Sequence, residues 1–301
     1  MPPSTPSPPL PHTMNFDHNE TLRQAITRNV RDALMEDIGR QDWTAQLVPN
    51  GGRVQAQVLA KEAAVICGRP WFDACVRALD PAAQIDWAVA EGASVVAGTV
   101  LCRIESAARA LLSAERPALN FLQMLSGVAT VTRQYVDAIA NVSPNPRGCV
   151  VLDTRKTLPG LRQAQKYAVR TAGGSNQRMA LWDGILIKEN HIAAAGSIAA
   201  ALEAARALNA GVGIQIEVEN LDELRQALEG GAKNVLIDDF SQGDMSRAVT
   251  LNAGRAVLEI SGGVDLATVR LFAATGVDRI SIGKLTKDVH AVDLSLRVLA
   301  R

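Results

Sequence analysis

Apolar residues recur along the chain with two different periods. In residues 20 to 36 (ETLRQAITRNVRDALME), Leu22, Ile26, Val30, Ala33 and Leu34 fall on one stripe of a helix that should stop at Gly39. After a loop come two strand-like stretches, VQAQVLAKEAAVICG and QIDWAVAEGASVVAGTVLCRIE, broken at glycines, with a short helix from about Pro70 to Leu79. These read as an α+β domain. A long apolar helical segment, Ala107 to Ile139, follows. Pro117 and Gly127 should interrupt it, because proline disfavours a helical residue before it.

Past SPNPRG the pattern changes to β-branched runs alternating with amphipathic helical segments such as SIAAALEAARAL and LDELRQALEGG. Six runs stand out: CVVLDTRK from 149, GILIKENH from 184, IQIEVEN from 214, NVLIDDF from 234, AVLEISGG from 256 and RISIGKLT from 279. Repeated βα units of this size imply a parallel sheet. Each run ends on polar groups, as in α/β barrels, whose active sites lie at the C-terminal strand ends. An open doubly wound sheet is disfavoured, since no GxGxxG follows the first run. With only six strands recognisable, the barrel is expected to be incomplete. The division reads as a Pro-rich disordered tail (1–14), an N-terminal domain (15–145), a barrel (146–287) and a C-terminal helix (288–301) returning to the N-terminal domain.

Composition narrows this picture. The 301 residues are 48% hydrophobic, ample for a core, and 31 basic residues balance 31 acidic ones. That neutrality gives no global footprint for nucleic acid or an anionic membrane, so the location of the charges matters more than their sum. No apolar run approaches the roughly 20 residues that span a bilayer. The opening MPPSTPSPPLPHT lacks the basic and apolar regions of a secretory signal and is read as a tail upstream of a functional start at Met14. Cys67, Cys75, Cys102 and Cys149 show no CxxC spacing and read as reduced, buried thiols of a cytoplasmic protein.

Three groups of residues carry candidate chemistry. Arg155 and Lys156 in DTRKT, Arg178 in SNQRMALWD and Lys188 in LIKENH would together receive an anion, arginine as a planar fork and lysine as a compact charge. Glu217 and Asp238 at neighbouring strand ends would bind Mg²⁺ or sugar hydroxyls, with Glu219 and Asp239 competing for the same roles. Ser261, Gly262 and Gly263, followed one strand later by Ser281, Ile282 and Gly283, suit a phosphate cup, because a backbone without Cβ atoms can approach phosphate oxygens closely. The expected ligand therefore has a phosphate at one end, hydroxyls and a metal in the middle and further anionic groups at the other. His12, His18, His191 and His290 do not cluster at zinc-ligand spacing, and His191 reads equally as a packing or hydrogen-bonding residue.

The strings ERPALNF, DTRKTLPGLR and IKENH are long and specific, and IEVENLDEL and LEISGGV accompany them. Through them the chain resembles the quinolinate phosphoribosyltransferases along nearly its whole length from about residue 20. The resemblance implies an N-terminal α/β sandwich and an incomplete α/β barrel in a subunit that is at least dimeric. It implies conversion of quinolinate and phosphoribosyl pyrophosphate, with Mg²⁺, to nicotinate mononucleotide, pyrophosphate and CO₂. It also implies that Arg155, Arg178 and Lys188 surround the quinolinate carboxylates, that Lys156 faces phosphates, that Glu217 and Asp238 face ribose and metal, and that Arg116 enters the neighbouring subunit's pocket. One position departs from the family's pattern: Asn176, Gln177 and Arg178 stand where Asn-His-Arg is usual. Glutamine cannot shuttle a proton, so Gln177 is expected only to orient a substrate carboxylate.

Competing readings are a related pyrophosphorylase acting on another aromatic acid and a non-enzymatic anion-binding module. Arg116, Arg155, Arg178 and Lys188, which match the family, favour a dicarboxylate. VLIDDF imitates the acidic pair of the unrelated phosphoribosyltransferase type, but the following SQGDMS lacks its TGGT-like turn. EGASVVAGTVLCRIE resembles a carrier-domain hairpin but has no lysine at the turn.

Overall fold

A computed structural model describes residues 19–299; the expected tail and the alternative start at Met14 lie outside them. The first half of the chain runs α1 (Leu22–Ile38), β1 (Arg53–Ala60), β2 (Ala64–Val65), α2 (Arg69–Leu79), β3 (Gln84–Trp87), β4 (Ser94–Val95), β5 (Val100–Ala107) and α3 (Ala108–Ile139). Thr21 and Gln24 cap α1 reciprocally: each side chain accepts a hydrogen bond from the other's backbone N–H. At the far end the Gly39 N–H donates to the Met35 carbonyl. Val30 and Leu34 of the expected stripe are buried, and Leu22, Ile26 and Ala33 flank them against the core.

The expected interruptions of α3 do not occur. It is one helix through both Pro117 and Gly127. Pro117 forfeits a single backbone bond, while the same face buries Leu111, Ala114, Ala118, Leu119, Leu122 and Leu125, and burial worth about 1.5–3 kcal/mol per large side chain outweighs that loss. Gly127 marks a crossing, because a Cβ there would lie 2.0 Å from the His290 carbonyl oxygen.

The second half runs β6 (Val150–Leu152), α4 (Arg162–Thr171), β7 (Gly184–Ile187), α5 (Glu189–Ala195), α6 (Ile198–Ala207), β8 (Gly213–Val218), α7 (Leu221–Glu229), β9 (Asn234–Asp238), α8 (Gln242–Asn252), β10 (Val257–Ser261), α9 (Val269–Ala273), β11 (Arg279–Ser281), α10 (Lys284–Lys287) and β12 (Leu294–Val298). The C-terminal segment does return to the N-terminal domain, but as a strand and not as the expected helix. β12 pairs antiparallel with β1, from Ala56 opposite Val298 to Ala60 opposite Leu294. Leu294, Leu296 and Val298 alternate with Ser295 and Arg297, the period-two pattern of a strand, and the edge of β1 supplies the ladder.

Two main sheets result. β12, β1, β5 and β3 form an antiparallel sheet in that order, while α2 and α3 pack together and bury Trp71 and Phe72 completely. The six expected strands of the second half form a parallel sheet ordered β6-β11-β10-β9-β8-β7. Each strand lies beside its successor except at one place: β6 and β7, consecutive in sequence, occupy opposite edges. Side chains from all six strands line a common interior cavity, so the sheet curls into a barrel with a single unclosed seam between β6 and β7.

Candidate active site

The barrel's C-terminal mouth holds a cavity of about 330 Å³. Thr154, Arg155 and Lys156 enter it just beyond β6, Lys188 beyond β7, Glu217 from β8, and Ser261 and Ser281 from the ends of β10 and β11. Gln177 and Arg178 enter from the seam. Parallel strands place every second residue inward, which is why Leu186 and Lys188, or Glu259 and Ser261, appear together on the cavity wall.

The seam is filled by residues 175–178. The Ser175 N–H donates to the Val151 carbonyl at 2.8 Å, and Leu152 and Ser175 form an isolated parallel bridge. On the other side Arg178 Nη1 donates to the Gly184 carbonyl at 3.0 Å. This short segment is clamped by a fully buried ion pair, Lys166 of α4 with Asp153 at the end of β6. Asp153 Oδ1 accepts the Gln177 N–H at 3.0 Å, and Lys166 Nζ donates to the Gln177 carbonyl at 2.8 Å. Both polar groups of that residue's backbone are thus held by one pair. Turned to satisfy its neighbours, the Asn176 amide nitrogen donates to Asp153 Oδ2 at 2.7 Å and to the Lys166 carbonyl at 3.0 Å. Burial pushes the Asp153 carboxyl up to about 6, against the pull of Lys166, and pushes the Lys166 ammonium down.

Two features mark the mouth as anion-receiving. Burial, reinforced by neighbouring Arg155, lowers the Arg178 pKa, and the buried Arg155 Nε has no hydrogen-bond partner among the described residues. Two adjacent guanidinium groups, one with an orphaned donor, are stabilised by an anion between them. Lys188 donates to both oxygens of Glu217, at 2.9 and 2.8 Å, so a cation and a carboxylate expected to face different parts of a ligand are paired at adjacent strand ends. His191 Nδ1 accepts the Lys188 N–H at 3.0 Å and caps α5, which gives that histidine a structural role.

The glycine-rich ends are built differently from each other. Gly262 and Gly263 have φ of 94° and 58°, and a Cβ on Gly262 would lie 2.0 Å from Asp239 Oδ1. At the next strand end the Lys156 side chain passes over Gly283, whose Cβ would stand 3.2 Å from Lys156 Cδ. Ile282 leaves the expected phosphate cup: its side chain is buried and its N–H donates to the Leu152 carbonyl, continuing the ladder. Asp238, half-buried and in register with Ser261, does not line the mouth cavity. Glu219 and Asp239 line a separate cavity with Asp222 and Asp244, so of the paired alternatives Glu217 is the one facing the mouth. Arg116 is exposed on α3, away from its own chain's mouth.

Four residues of the site were not singled out in the sequence: Asp153, Lys166, Gln215 and Glu259. Glu259 and Gln215 lie inside the barrel beneath the mouth, where Gln177 Nε2 donates to Gln215 Oε1 at 2.8 Å and Gln215 Nε2 donates to Glu259 Oε2 at 2.9 Å. Their signal was present as polar residues at inward positions of otherwise apolar strands, IQIEV and VLEIS.

An incomplete parallel α/β barrel with a cationic mouth and glycine-rich strand ends defines an anion-handling barrel protein. Sequence comparison is more specific. Residues 42–126 match the quinolinate phosphoribosyl transferase N-terminal domain and residues 128–297 its C-terminal domain, and the chain belongs to this family. It is 39% identical to a nicotinate-nucleotide pyrophosphorylase [carboxylating] of Mycobacterium leprae, with 90% of this chain and 96% of that protein covered. It is 38% identical to a probable enzyme of the same name from Bacillus subtilis, over 88% and 90% of the two chains. The solved nicotinate-nucleotide pyrophosphorylase of Francisella tularensis superposes with a TM-score of 0.88 at 42% identity, covering 95% of this chain and all of that one. A human nicotinic acid phosphoribosyltransferase at 14% identity and a TM-score of 0.56 shares the fold alone.

Proposed function

We propose that this protein transfers the phosphoribosyl group of phosphoribosyl pyrophosphate to quinolinate with loss of CO₂, giving nicotinate mononucleotide and pyrophosphate for NAD synthesis. The observation that carries the reading is the mouth itself: Arg155, Arg178, Lys156 and Lys188 gathered beside Ser261 and Ser281, in a chain of this family.

Arg155 and Arg178 hold the quinolinate carboxylates, and Lys188, tethered to Glu217, directs its remaining N–H at the same substrate. Lys156 faces the pyrophosphate, and the Gly262, Gly263 and Gly283 amides face the 5′-phosphate. Glu217 faces the ribose from the cavity wall while positive charge develops at its anomeric carbon, and Asp238, at the neighbouring strand end outside that wall, approaches it from the side. The pyridine nitrogen bonds to that carbon as pyrophosphate departs with the old bond's electrons. The quaternised ring then accepts the electron pair released by CO₂ loss at the adjacent carbon, which takes a proton from water.

Mg²⁺ is the proposed metal. Glu217 and Asp238 offer hard oxygen donors, and no cluster of three acidic, histidine or cysteine side chains exists among the described residues, so substrate oxygens would complete its shell. When bound, the ion offsets charge on the pyrophosphate.

We further propose a homodimer in which Arg116 completes the partner's mouth. Exposed Trp43 and Leu47, close to α3 through the Ser113–Asp42 hydrogen bond, support an apolar interface there. A cytoplasmic location is supported by four free cysteines, with burial holding the Cys75, Cys102 and Cys149 thiols at about 12. No described helix is long and apolar enough to cross a membrane.

The test incubates the full chain with phosphoribosyl pyrophosphate, Mg²⁺ and either quinolinate or nicotinate. Release of CO₂ and pyrophosphate with quinolinate alone is expected; turnover of nicotinate, or none of quinolinate, overturns the reading. Mixing Arg116→Ala with Lys188→Ala subunits tests the shared site. A mixed dimer contains one site with both lesions and one with neither, so activity should return on mixing. No recovery removes Arg116 from the partner's mouth.

A further inference from the structure

The three-residue chain inside the barrel has a direction. A carboxylate only accepts hydrogen bonds. Ionised Glu259 therefore forces Gln215 to present its amide nitrogen inward, which leaves the Gln215 oxygen facing Gln177 and draws the Gln177 nitrogen to it. The Gln177 oxygen is then left for the mouth. An amide oxygen repels a carboxylate ligand, so the arrangement set by an ionised Glu259 is the wrong one for an acid substrate.

Protonation reverses the chain. A neutral Glu259 can donate to the Gln215 oxygen, both amides can turn over, and Gln177 then offers N–H to the ligand. Glu259 is 1% exposed, its Oε1 has no hydrogen-bond partner among the described residues, and it lines both the mouth and a second cavity of about 380 Å³ beneath. Among its surroundings, Arg279 stands opposite in register on β11, Lys166 approaches from α4 and Ser281 from the end of β11, while on β9 its register partner is Leu236 and Asn234 lines the same lower cavity. Arg155, Arg178, Asp183 and the mutually paired Lys188 and Glu217 line the two cavities around it.

We propose that Glu259 is a positioning residue: through Gln215 it sets which end of the Gln177 carboxamide meets the bound acid, and acid binding is coupled to uptake of one proton from solution at Glu259. The inference rests on the reading of the mouth as a quinolinate site. A carboxylate arriving at the mouth adds negative charge near a buried carboxyl and favours its neutral form. Burial already raises the Glu259 pKa, with Gln215, Ser281, Arg279 and Lys166 opposing.

The test is calorimetric titration of quinolinate into the full-length protein in two buffers of different ionisation enthalpy, which counts protons. Wild type should take up about one proton per acid, and Glu259→Gln should take up none, with an acid affinity that no longer weakens as pH rises. Equal proton uptake by both proteins overturns the proposal, since the Asp153–Lys166 pair remains in the variant and would be the source. If Glu259→Gln does not fold, Gln215→Met cuts the chain while keeping the carboxyl and should weaken acid binding; an acid affinity and pH dependence unchanged in that variant are equally fatal. Absence of any quinolinate binding to wild type is a different result, which removes the proposed function and this coupling with it.

Discussion

The two halves of the molecule bury different things. Around the antiparallel sheet the interior is dominated by Trp71, Phe72, Leu101, Ile104 and their apolar neighbours, with Asn29, Asp80, Ser106 and Ser126 as its hydrogen-bonded polar members. Behind and beneath the barrel mouth the buried groups include Asp153, Lys166, Gln215 and Glu259, each held by directed hydrogen bonds. An apolar core tolerates rearrangement that keeps its volume, whereas a polar interior must keep every partner or leave a buried group unsatisfied. The first half therefore gives mainly stability, its one proposed chemical contribution being Arg116 at the surface, and the second spends stability to fix a few buried side chains in place.

The largest expected effect comes from opposing the two kinds of core. Lys166→Met should cost about 3–5 kcal/mol in denaturant unfolding because it strands Asp153 without its partner. Phe72→Ala should cost a similar 3–5 kcal/mol. Only the first should also abolish turnover in the fraction that remains folded, since the Gln177 backbone loses its anchor. Equal loss of specific activity in both would erase the distinction between the two interiors. Adding Asp153→Leu to Lys166→Met should recover part of the stability and none of the activity.

Next in size, Lys188→Ala should lower kcat/KM for quinolinate by on the order of 10²–10³-fold and, because it strands Glu217 beside a half-exposed position, lower the melting temperature less than Lys166→Met does; unchanged kinetics would remove Lys188 from the pocket. Gly127→Ala probes the apolar half at its tightest crossing, where the new methyl meets the His290 carbonyl. A loss of about 1–3 kcal/mol is expected, with KM unaltered.

The mildest lever is pH. The Glu259 pKa is higher folded than unfolded, so its contribution to stability is complete below the ordinary glutamate value and is lost as pH rises through the folded value. The wild-type denaturation midpoint should drift down over that window relative to Glu259→Gln, and parallel curves would contradict it.

All six barrel strands were legible because each is a short β-branched run bounded by turns, and their final residues pointed to the mouth. Arg155 and Lys188 were legible for the same reason, and Arg178 as a basic residue in the loop between two runs. Lys166 was not: within LRQAQKYAV it resembles any solvated helix lysine, and only the seam explains its burial. The helix reading of residues 288–301 failed because five residues of alternation are too few to outweigh helical propensity, and the deciding partner, β1, is remote in sequence. The continuity of α3 through Pro117 was likewise decided by packing, which local rules do not contain. Gln177 was read as a ligand-facing amide, and the chain to Glu259 adds what sequence spacing could not: a determinant of which way that amide faces.

The pairing of β12 with β1 carries a consequence for how the chain is made. A nascent polypeptide emerging from the ribosome presents β1 long before residues 294–298 exist, so the first-synthesised sheet keeps an open edge until the entire barrel has been translated. Such an edge is a template for unwanted pairing with other chains. Loss of residues 294–298, through a premature stop or a protease, would return the finished protein to that exposed state, with aggregation as the expected outcome even though every residue of the mouth is intact.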